Sequence, residues 1–246
     1  MSVLQITAVA GLPEVRVGDD LAGLIAARVP SLSAHDVVVV AHKVVSKAEG
    51  RVVALGDVTV TSRAVELAAL LGKDDPRPVQ VVLDESAEVV RAARGVLITR
   101  THHGFVCANA GVDASNAARE DELILLPADP DASARALRAV LPGRPAVVVT
   151  DSFGRAWRYG QADIAIGLAG LAPLDDWRGR TDSVGRDLRA TWIAIADEIA
   201  AAADLVRAKD SREPVVVVRG LGHRINTEDG PGAAAIIRPL DEDLFA

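Results

Sequence analysis

AVVVTDSFGRAWRYGQAD, residues 146–163, turns abruptly from apolar to polar. Ala146, Val147, Val148, Val149 and Thr150 read as a strand buried on both faces. Asp151, Ser152, Gly154, Arg155, Trp157, Arg158, Gln161 and Asp163 then read as a polar loop. Two readings fit this stretch. In one, the strand end fixes a carboxylate and the loop supplies guanidinium forks, which suits a site for a metal and a phosphate. In the other, a buried strand simply runs into a polar surface loop.

Similar junctions recur along the chain. VVVVA (37–41) runs straight into His42-Lys43-Val44-Val45-Ser46-Lys47. Its lysines and serine suit either phosphate or a solvated basic turn, and the absence of GxxxxGK[ST] excludes a Walker-type loop. In NAGVDASN (109–116), Gly111 permits a tight backbone, while Asp113, Ser115 and Asn116 offer oxygens at short spacing. Asp113 or Ser115 equally caps a short helix over 116–121, and a helix N-terminus favours phosphate. PVVVV (214–218) ends at Arg219. Separate carboxylates plus lysine suit a nucleotide bound through Mg²⁺ or Mn²⁺, which take one or two carboxylates and leave the remaining positions to phosphate and water. No Ser-His-Asp order, HExxH or GxGxxG competes. The residues alone point to metal-dependent phosphoryl chemistry on a small anion.

The remaining elements follow from periodicity and punctuation. A strand is expected over 3–9, a helix over 21–29 capped by Asp19 or Asp20, and a helix over 62–72. Residues 77–90 fit helix or strand equally. Residues 96–100 and 104–113 read as a strand pair turning at His102-His103-Gly104, with the histidines either exposed or ligands. A strand over 123–127 and a helix over 130–141 come next. Residues 164–174 are apolar and glycine-broken, and the polar run 175–189 reads as a mobile substrate loop. A helix over 191–208 would place Asp197 and Asp204 on one face, usually a solvated stripe.

Composition sets the limits. The chain has 246 residues, 50% of them hydrophobic and only 3% aromatic, enough for a sizeable aliphatic core. No apolar run nears the roughly 18 residues needed to span a bilayer, and no membrane partner is expected. The N-terminus carries no basic n-region or cleavage pattern. Cys107 is the only cysteine, which excludes an intramolecular disulfide and argues against structural zinc. A cytoplasmic location is the expectation. Net charge of −7 argues against a nucleic-acid partner.

VVSKAEGR (44–51), THHGFVCANAGVDASN (101–116), TDSFGRAWRYGQAD (150–163), ADEIAAAADLV (196–206) and VRGLGH (218–223), in this order and spacing, resemble the F420-0:γ-glutamyl ligase family. The similarity runs from about Leu12 to the end. The resemblance implies an α+β fold of mixed sheets with helices in two intertwined subdomains, spanning 1–246 as one ligase domain. It implies a homodimer, and none of the C-terminal flavin-reductase-like domain that some relatives carry. The implied reaction joins the amine of L-glutamate to the lactyl carboxylate of the deazaflavin precursor F420-0, then adds γ-linked glutamates. GTP is consumed to GDP and phosphate with Mg²⁺ or Mn²⁺, two ions in all, and K⁺ as a monovalent cation.

Carried over by motif, the metal aspartates are Asp113 and Asp151, and a third metal contact, usually threonine, is Ser152. GTP contacts are Gly11, Leu12, Pro13, Glu14, Lys47 and Asn116, with His42 where serine is common. Lys47 would hold β/γ-phosphate oxygens. Arg155 is read as its catalytic companion, and Arg158 and Arg219 as substrate-binding. The departures are His42, Ser152, Tyr159 where asparagine is usual, and the segment 176–190. Two rivals stand beside this reading: the same chemistry on another carboxylate, and a non-catalytic nucleotide- or deazaflavin-binding regulator. Intact Asp113, Asp151 and Lys47 count against the second.

Overall fold

The computed structural model describes residues 3–243. In chain order the elements are β1 (Gln5–Ala8), α1 (Leu21–Arg28), β2 (Val37–Ala41), α2 (His42–Ala48), β3 (Val52–Ala54), α3 (Ser62–Leu71), α4 (Arg77–Asp84), β4 (Ser86–Ala93), β5 (Val96–Thr101), β6 (Val106–Ala108), β7 (Glu122–Ile124), α5 (Pro130–Val140), β8 (Ala146–Arg155), β9 (Arg158–Ala169), β10 (Asp175–Asp176), β11 (Trp192–Ile193), α6 (Ile195–Asp204) and β12 (Val215–Arg219). Short 3₁₀ turns link several of them. This is a mixed α+β architecture with mixed sheets. None of the described helices is long and apolar enough to cross a membrane.

The central sheet runs β1-β12-β2-β8-β9. Only β2 and β8 are parallel, in the register Val37↔Ala146 to Ala41↔Thr150. The all-apolar strands are buried on both faces because each face meets a different core. Val38, Val40, Val147, Val149, Val215 and Val217 pack with Leu21 and Ile25 of α1 and Leu137 of α5. The alternate residues Val37, Val39, Ala146, Val148, Val216 and Val218 pack with Ile195, Ile199 and Ala203 of α6. The strand period of two thus sends successive valines to opposite layers.

Between β2 and β8 the chain leaves this sheet and builds separate cores. Ala64, Leu67, Leu71, Val79, Val82 and Leu97 form one under the β4-β5-β6 sheet. Val81, Leu123 and Leu125 form another near the β3–β7 pair.

Several expectations hold. Asp20, not Asp19, caps α1, accepting from Gly23 N at 2.9 Å. Asp129 caps α5 ahead of Pro130. Gly72, at φ 68°, ends α3 in the left-handed conformation that glycine tolerates.

Other expectations change. The polar run after Thr150 is not a loop: β8 continues to Arg155, turns through Ala156 and Trp157, and returns as β9, so 164–169 is strand as well. An antiparallel arm exposed on its sides accommodates polar residues without losing its ladder. Residues 42–48 are helix, with His42 and Lys47 buried. Residues 77–90 split into α4 and the start of β4. The strand expected over 104–113 shrinks to β6, followed by a turn where Asn109 and Ala110 take φ 53° and 54°. Residues 116–121 form turns and no helix. The helix expected over 191–208 shortens to α6, because Trp192 and Ile193 pair as β11 with β10. The run 175–189 is a ladder too: Leu188 N donates to Arg180 O at 2.8 Å, and the Arg178 guanidinium stacks 4.2 Å from the Trp192 ring centre.

The start of α5 is pressed onto β9. Asp131 accepts from Leu168 N at 2.8 Å and from Ala233 N at 2.7 Å. A Cβ on Gly167 would lie 2.2 Å from Pro130 O. Gly167→Ala is therefore expected to destabilise by about 1–3 kcal/mol through overpacking against backbone. Chemical denaturation checks this, and a change within 0.5 kcal/mol, roughly the surface-substitution range, would contradict the close approach.

Candidate active site

The parallel register makes Ala41 and Thr150 partners, so His42 and Asp151 leave the sheet side by side. His42 opens α2 and is 2% exposed. Its Nε2 lies 3.2 Å from Asp151 Oδ1 without hydrogen-bond alignment, and its Nδ1 lies 3.4 Å from Ser46 Oγ. The next residue turns to the other aspartate. Lys43 Nζ donates to Asp113 Oδ2 at 2.6 Å and to Ser115 Oγ at 2.5 Å. One turn further along α2, Lys47 pairs with Glu14 from the loop after β1. A seven-residue helix thus gathers Asp151, Asp113 and Glu14 around His42, Lys43 and Lys47.

Asp113 is held by its backbone as well as by Lys43. It exchanges backbone hydrogen bonds with Ile124, at 3.0 and 2.8 Å. Gly111 before it, at φ 71°, leaves no room for a Cβ beside Leu126. Burial pushes the Asp113 carboxyl up, but hydrogen bonds from Lys43 and Ser115 outweigh it, and the group ends below its ordinary value. The Asp151 charge is felt on β6. Cys107 is pushed up to about 12, by burial first and the Asp151 carboxylate second. A thiol raised in this way carries little of the nucleophilic thiolate near neutral pH.

On the arm, Ser152 and Asp163 are cross-strand partners. Ser152 Oγ donates to Asp163 Oδ1 at 2.6 Å, and Thr150 Oγ1 donates to Asp163 Oδ2 at 3.0 Å. Arg207, just past α6, pairs with Asp163, and Lys209 Nζ donates to Ser152 Oγ at 2.6 Å. The buried Asp163 is thereby satisfied, and it turns the Ser152 hydroxyl toward Lys209, on the opposite face of β8 from the Asp151 carboxylate.

Among the described residues, no three His, Cys, Asp or Glu side chains converge into a metal cage. Asp113 and Asp151 each offer hard carboxylate oxygens, and the Asp113 oxygens already face a cation, the Lys43 ammonium. This donor set fits Mg²⁺ or Mn²⁺ shared with phosphate and water rather than a closed protein site.

Residues 11–220 match the model of the F420-0:gamma-glutamyl ligase family. The chain belongs to that family. It is 39% identical to the coenzyme F420:L-glutamate ligase of Methanothermobacter thermautotrophicus, covering 98% of each chain. It is 46% identical to that of Halobacterium salinarum, over 96% of this chain and 93% of the relative. It is 44% identical to that of Methanopyrus kandleri, over 94% and 93%.

Of the positions that family resemblance singles out, the structure brings Glu14, His42, Lys47, Asp113 and Asp151 together at α2, while the Ser152 side chain faces Asp163 and Lys209 instead. Gly11 holds its loop by accepting from Arg28 Nε at 2.7 Å. Leu12 packs against the first core. Pro13 and Glu14 line an open concavity of about 550 Å³ with Arg16, Asp19 and Asp20. Asn116 sits on an exposed turn at φ 62°. His42 faces Asp151 rather than open solvent.

The arginines lie elsewhere within the chain. Arg155 bonds Tyr159 O at 2.7 Å within its own arm, and Arg158 is exposed at the tip. Four strand residues put Arg155 roughly 13 Å beyond Asp151. Arg219 pairs with Asp36 and Ser31 at the opposite end of the sheet, since Val218 partners Val37. The paired histidines tie loops: His102 Nε2 lies 3.0 Å from Asp84 O, and His103 Nε2 lies 3.0 Å from Pro127 O.

Sequence reasoning gave no role to Lys43's pairing, Asp163, Arg207 or Lys209. The one available signal was an acidic residue, Asp163, just before an apolar run. Its basic partner lies far along the chain. Arg207→Met would leave the buried Asp163 short of its main counter-charge, at an expected cost of about 3 kcal/mol, while adding Asp163→Asn would recover most of it. Denaturation of both variants measures this, and a loss below about 1 kcal/mol, the size of an exposed pair, would contradict the dependence.

Proposed function

We propose that this chain is a ligase that adds L-glutamate to the precursor of coenzyme F420, forming a C–N bond to a carboxylate. The carrying observation is the grouping of Asp113, Asp151 and Lys47 around α2, in a chain aligned almost end to end with coenzyme F420:L-glutamate ligases. In the finer form of this reading, F420-0 is the first acceptor, further glutamates join through γ-linkages, and GTP supplies the energy. The two core regions are its intertwined subdomains.

A carboxylate is a poor electrophile, so its oxygen first takes the γ-phosphoryl group of GTP, and GDP leaves. The amine of glutamate then attacks the carbonyl carbon of the acyl phosphate. Phosphate departs with the bonding pair, and the amine loses its proton. The first step depends on positioning and charge neutralisation. Asp113, Asp151 and Ser152 would hold the divalent cations, which neutralise phosphate oxygens when bound. Lys47 exchanges Glu14 for β/γ-phosphate oxygens. His42 packs beside Asp151, and Asp163 holds the Ser152 hydroxyl in the ligand-free chain. The loop of Gly11, Leu12, Pro13 and Glu14, together with Asn116, borders the nucleotide. Potassium enters as a supporting monovalent cation. Arg155, Arg158 and Arg219 are not carried into this mechanism, because none of them reaches the cluster within one chain.

Incubating the protein with F420-0, glutamate, GTP and Mn²⁺ is expected to give stepwise glutamyl mass increases. Asp151→Asn should remove them while leaving the metal-free melting temperature unchanged, with a rate loss on the order of 100- to 1,000-fold or more. No adduct on F420-0 alongside turnover of a different carboxylate would shift the substrate. No turnover at all with GTP still bound would favour the regulatory reading.

The proposed assembly is a homodimer. The β8–β9 arm carries the fully exposed Tyr159 and the 80%-exposed Trp157 away from the core. Light scattering at micromolar concentration is expected to give twice the chain mass of 25.7 kDa, and a monomer mass would contradict it.

A further inference from the structure

Lys43 is the one basic side chain of α2 to which neither the family resemblance nor the proposed chemistry gives a role. Its ammonium occupies the place a metal would take at Asp113, 2.6 Å from Oδ2 and 2.5 Å from the Ser115 hydroxyl. Asp113 Oδ1 is turned the other way, accepting from Ser115 N at 2.7 Å. Lys43 and Lys47 are four residues apart and share one face of α2. Lys47 is in the same condition, paired with Glu14. Both lysines that face this site are therefore satisfied by carboxylates in the ligand-free chain.

We propose that Lys43 is an exchangeable counter-ion: it fills the cation place at Asp113 until metal-bound nucleotide arrives, then moves its ammonium to the phosphate. This rests on the assignment of Asp113 to the metal. An ammonium and a divalent cation cannot share one carboxylate edge without strong repulsion. Metal alone must therefore expel Lys43 into solvent, away from its ion pair. Metal with nucleotide gives Lys43 a new anionic partner beside Lys47. Each ligand favours the same rearranged site, so each tightens the other, and the coupling is reciprocal. Lys43 forms no covalent bond in this exchange. It is a positioning residue that makes metal binding conditional on the nucleotide.

Manganese binding followed by electron paramagnetic resonance, with and without GDP, tests this independently of turnover. Lys43→Met keeps the aliphatic stem and removes the charge. It is expected to bind Mn²⁺ about tenfold more tightly than the parent chain when GDP is absent. The further tightening on adding GDP should shrink in that variant, from about tenfold in the parent toward none. Lys43→Gln, which keeps a donor but no charge, should behave in the same way. Asp113→Asn should lose the nucleotide-free Mn²⁺ site. If Asp113→Asn loses that site but Lys43→Met binds Mn²⁺ no more tightly than the parent, the exchange is overturned and the metal assignment stands. If Asp113→Asn binds Mn²⁺ as the parent does, both are overturned.

Discussion

The parallel pairing of β2 with β8 is the constraint on which the rest depends. Its register makes Ala41 and Thr150 neighbours, and the chain leaves both strands at the same edge of the sheet. One strand continues into a helix and the other into an arm, so His42 and Asp151 meet. A register slip of one residue would separate His42 from Asp151. Each fully buried valine contributes about 1.5 kcal/mol or more to holding the sheet together. The core of the sheet is thus what holds the geometry of the candidate site.

Parallel strands need a long crossover, and this chain uses that necessity. The crossover from β2 to β8 contains the second set of cores, and with them Asp113. Asp113 returns to α2 through its backbone pairing with Ile124 and its bond to Lys43. The crossover is joined to the central sheet both by apolar packing of Phe105, Cys107 and Leu126 in the first core and by a charged seam at α2. Asp113 and Glu14 at that seam are matched by lysines in the ligand-free chain, and Asp151 lies 3.2 Å from the buried His42. The pairs at Asp113 and Glu14 are partly open to water and salt, so they exchange partners easily and contribute little to stability. The Asp163–Arg207 pair differs: it is buried, networked through Thr150 and Ser152, and structural in effect.

The candidate residues Asp113, Asp151, Ser152 and Lys47 were singled out where an apolar run or a glycine turn meets polar residues. The structure brings Asp113, Asp151 and Lys47 to α2, but the polar change marks no strand end: β8 runs on past Asp151 and Ser152, and Lys47 lies inside α2. The polar half of 146–163 was misread because polarity signals exposure, and an exposed antiparallel arm and a loop look alike in composition. HKVVSKA was short enough to read as a turn, and its helical state depends on the sheet that α2 continues from. The segment 175–189 looked loose, yet arginine–tryptophan stacking and cross-strand hydrogen bonds order it. Arg155, Arg158 and Arg219 were chosen by proximity in sequence to strand ends. A strand has two ends, and composition does not say which one faces the site.

The sequence by itself determined the buried valine strands, the punctuation that starts α1 and α5, and the motifs of a ligase family. These are local properties: period, punctuation and motif spacing all act within a few residues. Only the tertiary structure decided that Lys43 meets Asp113, that His42 meets Asp151, that Arg207 meets Asp163, and that Arg219 faces away. Those pairs join residues 70, 109, 44 and 183 positions apart, counting Arg219 by its partner Asp36. Charge carries no address along a chain, so which cation finds which carboxylate is fixed only when the sheet register brings them together.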